Sequence, residues 1–471
     1  MGRDLLVVDL DHTLVKTDLL VEQVLIVART RPLTLFRAIR VLLPGGGGRA
    51  AFKAIIAGAA EVDAAYLPYR ASVLELMDAE RRSGATVVLA SASHRSVVDR
   101  VARHLGRFDR VVATTDRNLK GTNKLEELRR AFPSVPFAYI GDSAADRPLW
   151  SASSRAIAVN PSAALRHWLG TLPVPVQVLR DDVDLAGAVL RQLRVRRWIR
   201  NLLVFLPLIG TPWVPGSVAR AAIAFLALSF LSSAGYVLND LADLPGDRRH
   251  PVKRNRPLAS GDLSTGTAIL LFGALLLGAA IPAAALAGGF AVALATFFVV
   301  SIAYSIWLKH LLLVDVFALA ALHSLRIVAG VEAMGVGLSA SLLAFAILLF
   351  VGLGLAGRYV ESARAELPGD AGLGAYLVED HEAMFTIGAV CALLAAPALM
   401  LYLVGDVLRQ TSARAAPLLL TVPLLVYWIG RYLILAHREE PADGPFAFAL
   451  RDRTTWCVAA LTLVLLVLGR A

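Results

Sequence analysis

A chain of 471 residues that is 57% hydrophobic is too apolar for an ordinary soluble enzyme, and its apolar residues concentrate after about residue 200. The formal net charge of +10 does not make it a nucleic-acid binder, because the excess Arg and Lys flank apolar runs, where basic residues set membrane topology, and no recognised binding module accompanies them. Cys391 and Cys457 lie inside apolar runs and read as small packing residues, so no disulfide is expected.

In chain order, the opening "MGRDLLVVDLDHT" has an apolar run too short for a signal peptide, ending in two carboxylates. Residues 1 to about 190 are therefore expected to stay on the side where they are made. "DLLVVD" (4–9), "TVVLAS" (86–91), "RVVATTD" and "FAYIGDS" are short β-branched runs ending in polar residues, alternating with helical stretches such as Lys124 to Arg130. This pattern predicts an α/β, Rossmann-like, doubly wound sheet whose active residues lie at the carboxyl ends of the strands. The mostly helical stretch at about 18–70, interrupted by "PGGGG", is expected to be a cap over that edge.

Asp9 and Asp11 stand at one predicted strand end and Ser91 at another. Lys124 starts a helix, and "GDSAAD" contributes Asp142 and Asp146. A carboxylate can attack phosphorus if a divalent ion neutralises the surrounding oxygens, and Mg²⁺ prefers hard oxygen ligands such as these. One D-x-D alone is more often a helix cap or a water-facing pair; four elements in this order favour phosphoryl chemistry. Residues 4 to about 165 resemble the haloacid dehalogenase superfamily of phosphohydrolases. The resemblance implies that Asp9 is the nucleophile, Asp11 the general acid/base, and Ser91 and Lys124 the stabilisers of phosphoryl charge. It also implies that Asp142 and Asp146 hold Mg²⁺ together with Asp9. His12 stands where that superfamily often has glycine, and no particular substrate is implied.

Residues 191–200, "RQLRVRRWIR", read as a basic amphipathic linker suited to an anionic membrane face. From 201 to 471 an all-α polytopic membrane domain of about nine transmembrane helices is expected, against roughly 20 residues per tilted span. The predicted spans are 201–214, 218–240, 266–285, 289–308, 312–334, 338–357, 384–405, 415–436 and 454–469. Threading them puts Arg248 to Arg256, Lys309, Arg358 with Arg364, and Arg438 with Arg451 on one side; Arg220, Arg409 and Arg414 fall on the other. By the positive-inside rule the first set is cytoplasmic, which predicts an inner-membrane, multi-pass protein with its soluble head in the cytoplasm.

Between two spans lies "YVLNDLADLPGDRRHPVKRNRPLASG" (236–261). Asn239, Asp243 and Asp247 recur every four residues and Asp240 precedes Asp243 by three, which brings them onto one helical face at the membrane edge. Pro245 and Gly246 break such a helix, so Asp247 is expected from a bend. Oxygen ligands of this kind fit Mg²⁺ carrying a diphosphate, and Lys253, Arg254 and Arg256, with His250 beside them, suit the remaining phosphate oxygens. A loop serving topology alone needs Lys and Arg, not three aspartates.

This stretch is similar to the first signature of the UbiA superfamily of intramembrane prenyltransferases. The resemblance covers about 195–471 and includes "RRWIRNLLVFLPL" and "YSIWLKHLLLVDVFALAALHSLRIVAG". It implies a cytoplasm-facing cavity in which Mg²⁺-assisted departure of a diphosphate leaves an electrophilic carbon, with Asp240 and Asp243 central to that step. Members that use prenyl diphosphates usually carry a second aspartate-rich motif. Here the corresponding place reads "GRYVESARAEL", with Arg358, Tyr359, Glu361, Arg364 and Glu366. That pattern, and "PFAFALRDRTTW", are similar to the branch that makes polyprenyl-phosphoryl 5-phosphoribose. Lys309 and Arg326 suit either phosphate binding or a snorkelling, helix-end role. Asp315, inside an apolar run, is expected to face the cavity, and His381 reads as a surface residue.

The leading expectation is a bifunctional enzyme: transfer of 5-phosphoribose from phosphoribosyl diphosphate to polyprenyl phosphate, followed by removal of the 5-phosphate. The alternatives are aromatic-ring prenylation beside a phosphatase of separate purpose, and a transporter with a regulatory head. Prenyl chain length, the final acceptor of the sugar and oligomeric state are not legible.

Overall fold

The structure is a computed structural model that describes residues 5–45, 47–181, 183–210, 215–286, 288–363, 376–411, 413–440 and 444–469. Arg364, Glu366 and the side chain of Arg414 lie outside the described residues. The chain divides into two compact units: Met1–Leu193 with Tyr236–Phe272, and Arg194–Gly235 with Gly273–Ala471.

In the first unit, β1 (Leu5–Val8), β2 (Thr86–His94), β3 (Arg110–Thr114), β4 (Phe137–Gly141), β5 (Arg155–Val159) and β6 (Val176–Leu179) form one sheet in the order β3-β2-β1-β4-β5-β6. Every pairing is parallel. Alternation along β1 sends Leu6 and Val8 into one core with Val87, Leu89, Ile140 and Ile157. Leu5 and Val7 enter the opposite core with Val88, Tyr139, Trp150 and Leu128. Burial of the sheet on both faces explains why its strands read as unbroken apolar runs.

The cap consists of α1 (Leu19–Thr30), α2 (Pro32–Arg40) and α3 (Gly48–Ala59) around a small core of Val27, Ala38, Ile56 and Ala60. Asp18 starts α1 by accepting the Val21 amide at 3.0 Å. Gly47 has φ +93°, a conformation open to glycine, and it turns the chain from α2 into α3. The sheet is flanked by α4 (Ala71–Arg82), α5 (Arg95–Leu105), α6 (Thr122–Ala131), α7 (Arg147–Ala152) and α8 (Ala163–Leu169), and α9 (Leu185–Leu193) packs against the short helix Pro257–Ser260.

All nine predicted spans are helical among the described residues, but seven are long and apolar enough to cross a membrane. The seven are Pro215–Ala242, Thr265–Ala285, Gly288–Ile306, Val314–Met334, Ala340–Ala363, His381–Val407 and Ala416–His437. The last predicted span is a shorter helix, Arg453–Leu468. The first is a 3₁₀ helix, Val195–Ile209, with Pro207 inside it; the missing proline N–H weakens α-helical bonding there.

The helix Pro215–Ala242 (α10) ends before Asp243, and a new helix, Leu244–Arg249 (α11), begins with Pro245 in its first turn. The chain breaks at Asp243, the cap residue between the two, earlier than expected: Pro245 opens the second helix, and Asp247 lies inside that helix and not in a bend.

Candidate active sites

The switch point of the sheet is at β1, with β2 on one side and β4 on the other, so the carboxyl end of β1 opens into a crevice. Asp9 follows β1, and its amide continues the β1–β4 pairing by donating to the Ile140 carbonyl at 3.0 Å. The chain then turns through His12, whose φ of 56° is unusual for a side-chain-bearing residue. This is why glycine suits the position. Arg70 pins the turn by donating to the carbonyls of Thr13 and His12, each at 3.0 Å.

Lys124 Nζ donates to Asp9 Oδ1 at 2.9 Å and lies 3.0 Å from the Tyr139 hydroxyl, which donates to Asp146 Oδ1 at 2.7 Å. Asp9, Asp142 and Asp146 can bring ligand oxygens within 4.8 Å of one another. Burial pushes the Asp9 carboxyl up to about 7, against the pull of Lys124. Burial, reinforced by the charges of Asp9 and Asp146, pushes Asp142 up to about 8. Three desolvated carboxylates of one sign fit a hard divalent cation, whose charge relieves that cost.

Asp11 Oδ1 accepts the Leu19 amide at 2.9 Å, and Oδ2 accepts from Ser93 Oγ at 2.6 Å and Ser91 Oγ at 3.4 Å. Burial, then the nearby Asp18, raises the Asp11 pKa. Ser91 is wholly buried and also takes the Ser93 amide at 3.0 Å, so Ser93 is the closer partner of Asp11. The register shift between Ser91 and His94 brings both serines to bear there.

A cavity of about 430 Å³ opens onto Asp9, Asp11 and Asp142, and cap residues Arg49 and Lys53 join its lining. Lys53 Nζ donates to the Ala92 carbonyl at 2.5 Å and to Asn118 Oδ1 at 2.7 Å. Sequence reasoning missed Ser93, Lys53, Tyr139 and Thr13, whose Oγ1 donates to Asp142 Oδ1 at 3.4 Å. Ser93 alone carried a signal, standing two residues from Ser91 in a strand.

The acidic loop belongs to the same compact unit as the head. Arg256 Nη1 joins Asp240 Oδ1 at 3.0 Å to Asp247 Oδ2 at 2.6 Å, and Gln192 Nε2 donates to Asp240 Oδ2 at 2.8 Å. Burial raises the Asp247 pKa, with Arg256 opposing it. Asp243 pairs with Arg29 of α1 at 2.7 Å, and the same guanidinium nitrogen donates to the Ala242 carbonyl at 2.7 Å. That bond satisfies a carbonyl at the C-terminus of α10, where a cation is favourable. Asn239 is half-buried, and its carbonyl accepts the Asp243 amide at 2.9 Å.

Among the described residues the one group of three or more acids gathered within 4.8 Å is Asp9, Asp142 and Asp146; in the loop Arg256 joins Asp240 and Asp247, and Asp243 pairs separately with Arg29. His250, Lys253 and Arg254 are exposed; His250 Nδ1 accepts the amides of Val252 and Lys253 and shapes the turn.

Arg248 was missed, because it lies within a basic run. It is 7% exposed and forms a two-pronged pair with Glu22 of α1, at 2.7 and 2.6 Å. Thr17 Oγ1 donates to Glu22 at 2.5 Å, so the turn bearing Asp11 and the acidic loop share a buried network.

In the second unit Asp315 is buried, accepting from Arg358 Nε at 2.9 Å and from the Tyr376 hydroxyl at 2.5 Å. Its expected cost is met by these partners. Arg358 also reaches Glu361 at 2.5 Å. Tyr359 is buried, with its ring 3.9 Å from that of His381 and its hydroxyl 3.2 Å from His437 Nδ1. His381 is half-buried and bonded to Ser362 at 2.8 Å, not a surface residue as expected. Arg326 is 6% exposed; it donates to Asn201 Oδ1 at 2.8 Å and to the Leu322 carbonyl at 2.5 Å, and lies over Phe297. It is an interior group, not a snorkelling one. Lys309 is half-buried in the short turn Leu308–His310.

Residues 203–458 match the model of the UbiA prenyltransferase family, and residues 6–151 match the haloacid dehalogenase-like hydrolase model. The Sinorhizobium fredii protein y4nM is 35% identical over 97% of this chain and 89% of its own length. The Azorhizobium caulinodans nodulation protein NoeC is 30% identical over 58% of this chain and 91% of its own. The decaprenyl-phosphate phosphoribosyltransferase of Mycolicibacterium smegmatis is 31% identical over 40% of this chain and 60% of its own. The chain is thus a multi-pass membrane enzyme that belongs to the UbiA prenyltransferase family and carries a haloacid dehalogenase-like hydrolase domain at its N-terminus.

Proposed function

We propose that the membrane domain transfers 5-phosphoribose from phosphoribosyl diphosphate to polyprenyl phosphate, and that the head hydrolyses the 5-phosphate to leave polyprenyl-phosphoryl ribose. The observation that carries this reading is a phosphomonoesterase-type site in the same chain as the transferase. A transferred 5-phosphoribosyl group keeps one phosphomonoester, the bond such a site cleaves. Two further observations support it. Arg358, between Asp315 and Glu361, lies at the place where family members using prenyl diphosphates usually carry a second aspartate-rich motif, and a basic group suits the phosphate of a sugar donor. The similarity to decaprenyl-phosphate phosphoribosyltransferases points the same way.

In the head, the Asp9 carboxylate attacks phosphorus and the sugar alkoxide leaves, taking a proton from Asp11; Asp11 then takes a proton from the water that cleaves the aspartyl phosphate. Lys124 and Ser91 stabilise charge on the phosphoryl oxygens. Asp9, Asp142 and Asp146 would hold Mg²⁺, which neutralises phosphoryl oxygens. In the acidic loop Asn239, Asp240, Asp243 and Asp247 would hold the Mg²⁺ of the donor diphosphate, with His250, Lys253, Arg254 and Arg256 toward its oxygens. Lys309, Arg326, Tyr359 and Glu361 complete the proposed polar lining of the membrane site. The charge bias of the loops supports a cytoplasmic head in the inner membrane.

Purified protein given labelled phosphoribosyl diphosphate and polyprenyl phosphate should form lipid-borne label, and Asp240→Ala or Asp243→Ala should abolish it while the head still hydrolyses a soluble phosphomonoester. Product from prenyl diphosphate and an aromatic acid, with none from phosphoribosyl diphosphate, would overturn the donor assignment.

A further inference from the structure

The cap carries a surface that neither site uses. Along α2 and the turn after it, Leu33 is 76% exposed, Phe36 63%, Ile39 50%, Leu42 46% and Leu43 61%. Leu33, Phe36 and Ile39 recur at helical spacing along α2 and form one apolar face, and Leu42 and Leu43 are exposed in the turn that follows it. The opposite side seats Ala38, wholly buried, in the cap's own core. The sequence is therefore double-sided: one face closes the cap, and the other is a patch that soluble surfaces seldom leave open.

Charge and position say what covers it. Arg31, Arg37 and Arg40 are all exposed along the helix, and α2 has no acidic residue. An apolar strip flanked by arginines complements a layer with oily chains beneath anionic headgroups; a soluble protein partner has no need of both. The preceding helix fixes the level: Arg29 donates to the carbonyl of Ala242, the last residue of the membrane-crossing helix α10. At 28 residues α10 is longer than the roughly 20 that a span needs, so its end reaches headgroup level, and α2 begins three residues after Arg29.

We propose that α2 is an interfacial helix, lying in the headgroup region of an anionic bilayer with Leu33, Phe36, Ile39 and Leu43 among the acyl chains. Arg37 reaches the headgroup phosphates from the side of the strip, and Arg40, one turn after Phe36 at the end of the helix, snorkels back to them. The cap is then the element through which the hydrolase site meets lipid-borne material. The placement itself is independent of which sugar is transferred.

The test uses the full chain, with Cys391 and Cys457 replaced by Ala, in nanodiscs of phosphatidylcholine and phosphatidylglycerol. A single nitroxide is placed by Phe36→Cys, Ile39→Cys or, as a control away from the face, Thr30→Cys. At 36 and 39 collisions with oxygen should exceed those with a water-soluble nickel chelate, and at 30 the order should reverse. Raising ionic strength should weaken the burial at 36, since part of the attraction is screened. Collision with the nickel chelate at 36 and 39 as frequent as at 30 would overturn the proposal. So would dipolar broadening between labels at 36, which would assign the face to a second copy of the chain. A Phe36→Glu, Ile39→Glu variant should keep hydrolysis of p-nitrophenyl phosphate and lose hydrolysis of a phosphomonoester carried on a bilayer lipid. Equal loss of both would assign the face to folding instead.

Discussion

At Asp9 and Asp142 the protein keeps carboxyls where water cannot stabilise their charge. Their pKa values of about 7 and about 8 lie above the ordinary carboxylate value near 4. The sign follows: without a cation, stability present below the unfolded carboxyl range is lost as pH rises toward 7 and 8, because the unfolded chain ionises freely and the folded one does not. Mg²⁺ reverses this by displacing the protons. Thermal unfolding of the head should therefore show a larger Mg²⁺-induced shift at pH 8 than at pH 6, and Asp142→Asn should remove most of it. An equal or larger shift at pH 6 would contradict the assignment. His12, at φ 56°, offers a second check: His12→Gly should relieve strain of roughly 1 kcal/mol, read as a higher melting temperature.

The acids of this site were legible because each stands at the end of an apolar run. Lys53 was not, since its partners Ala92 and Asn118 are brought to it by the fold, and nothing on α3 marks it.

Among elements, α1 has the most unexpected role. As a cap helix it was readable, but nothing in the sequence singled out Glu22 or Arg29. They meet Arg248 and Asp243 of the acidic loop, more than two hundred residues away. Glu22 and Arg248 are both nearly inaccessible, so removing one partner strands the other's charge. Glu22→Gln should destabilise the first unit by about 3–5 kcal/mol, whereas Glu22→Met with Arg248→Met should recover most of that loss. Denaturant unfolding of both proteins checks it, and a double variant no better than the single would argue against a charge-driven effect.

The spans were legible from hydropathy because a lipid environment demands long apolar helices. A break near Pro245 was legible too, though proline sits in the first turn of the second helix, where its missing donor costs nothing, and the break itself falls at Asp243. Val195–Ile209 was harder, because its apolar residues match a span in composition while Pro207 and its basic start alter its geometry.

At the scale of the molecule, a UbiA-family transferase domain and a haloacid dehalogenase-like hydrolase domain share one chain, and the acidic loop within the UbiA match packs in the same compact unit as the hydrolase head. Tethering raises the local concentration of a lipid product near the hydrolase, which a separate enzyme would have to find by diffusion. The central claim is that the head acts on the product of the membrane site. Mass spectrometry of lipid extracted after incubation with phosphoribosyl diphosphate and polyprenyl phosphate tests it most directly, comparing wild type with Asp9→Asn. Wild type should accumulate polyprenyl-phosphoryl ribose, and Asp9→Asn should stop one phosphate earlier, at polyprenyl-phosphoryl 5-phosphoribose, with its transfer rate nearly unchanged. The same lipid species from both proteins would contradict the account.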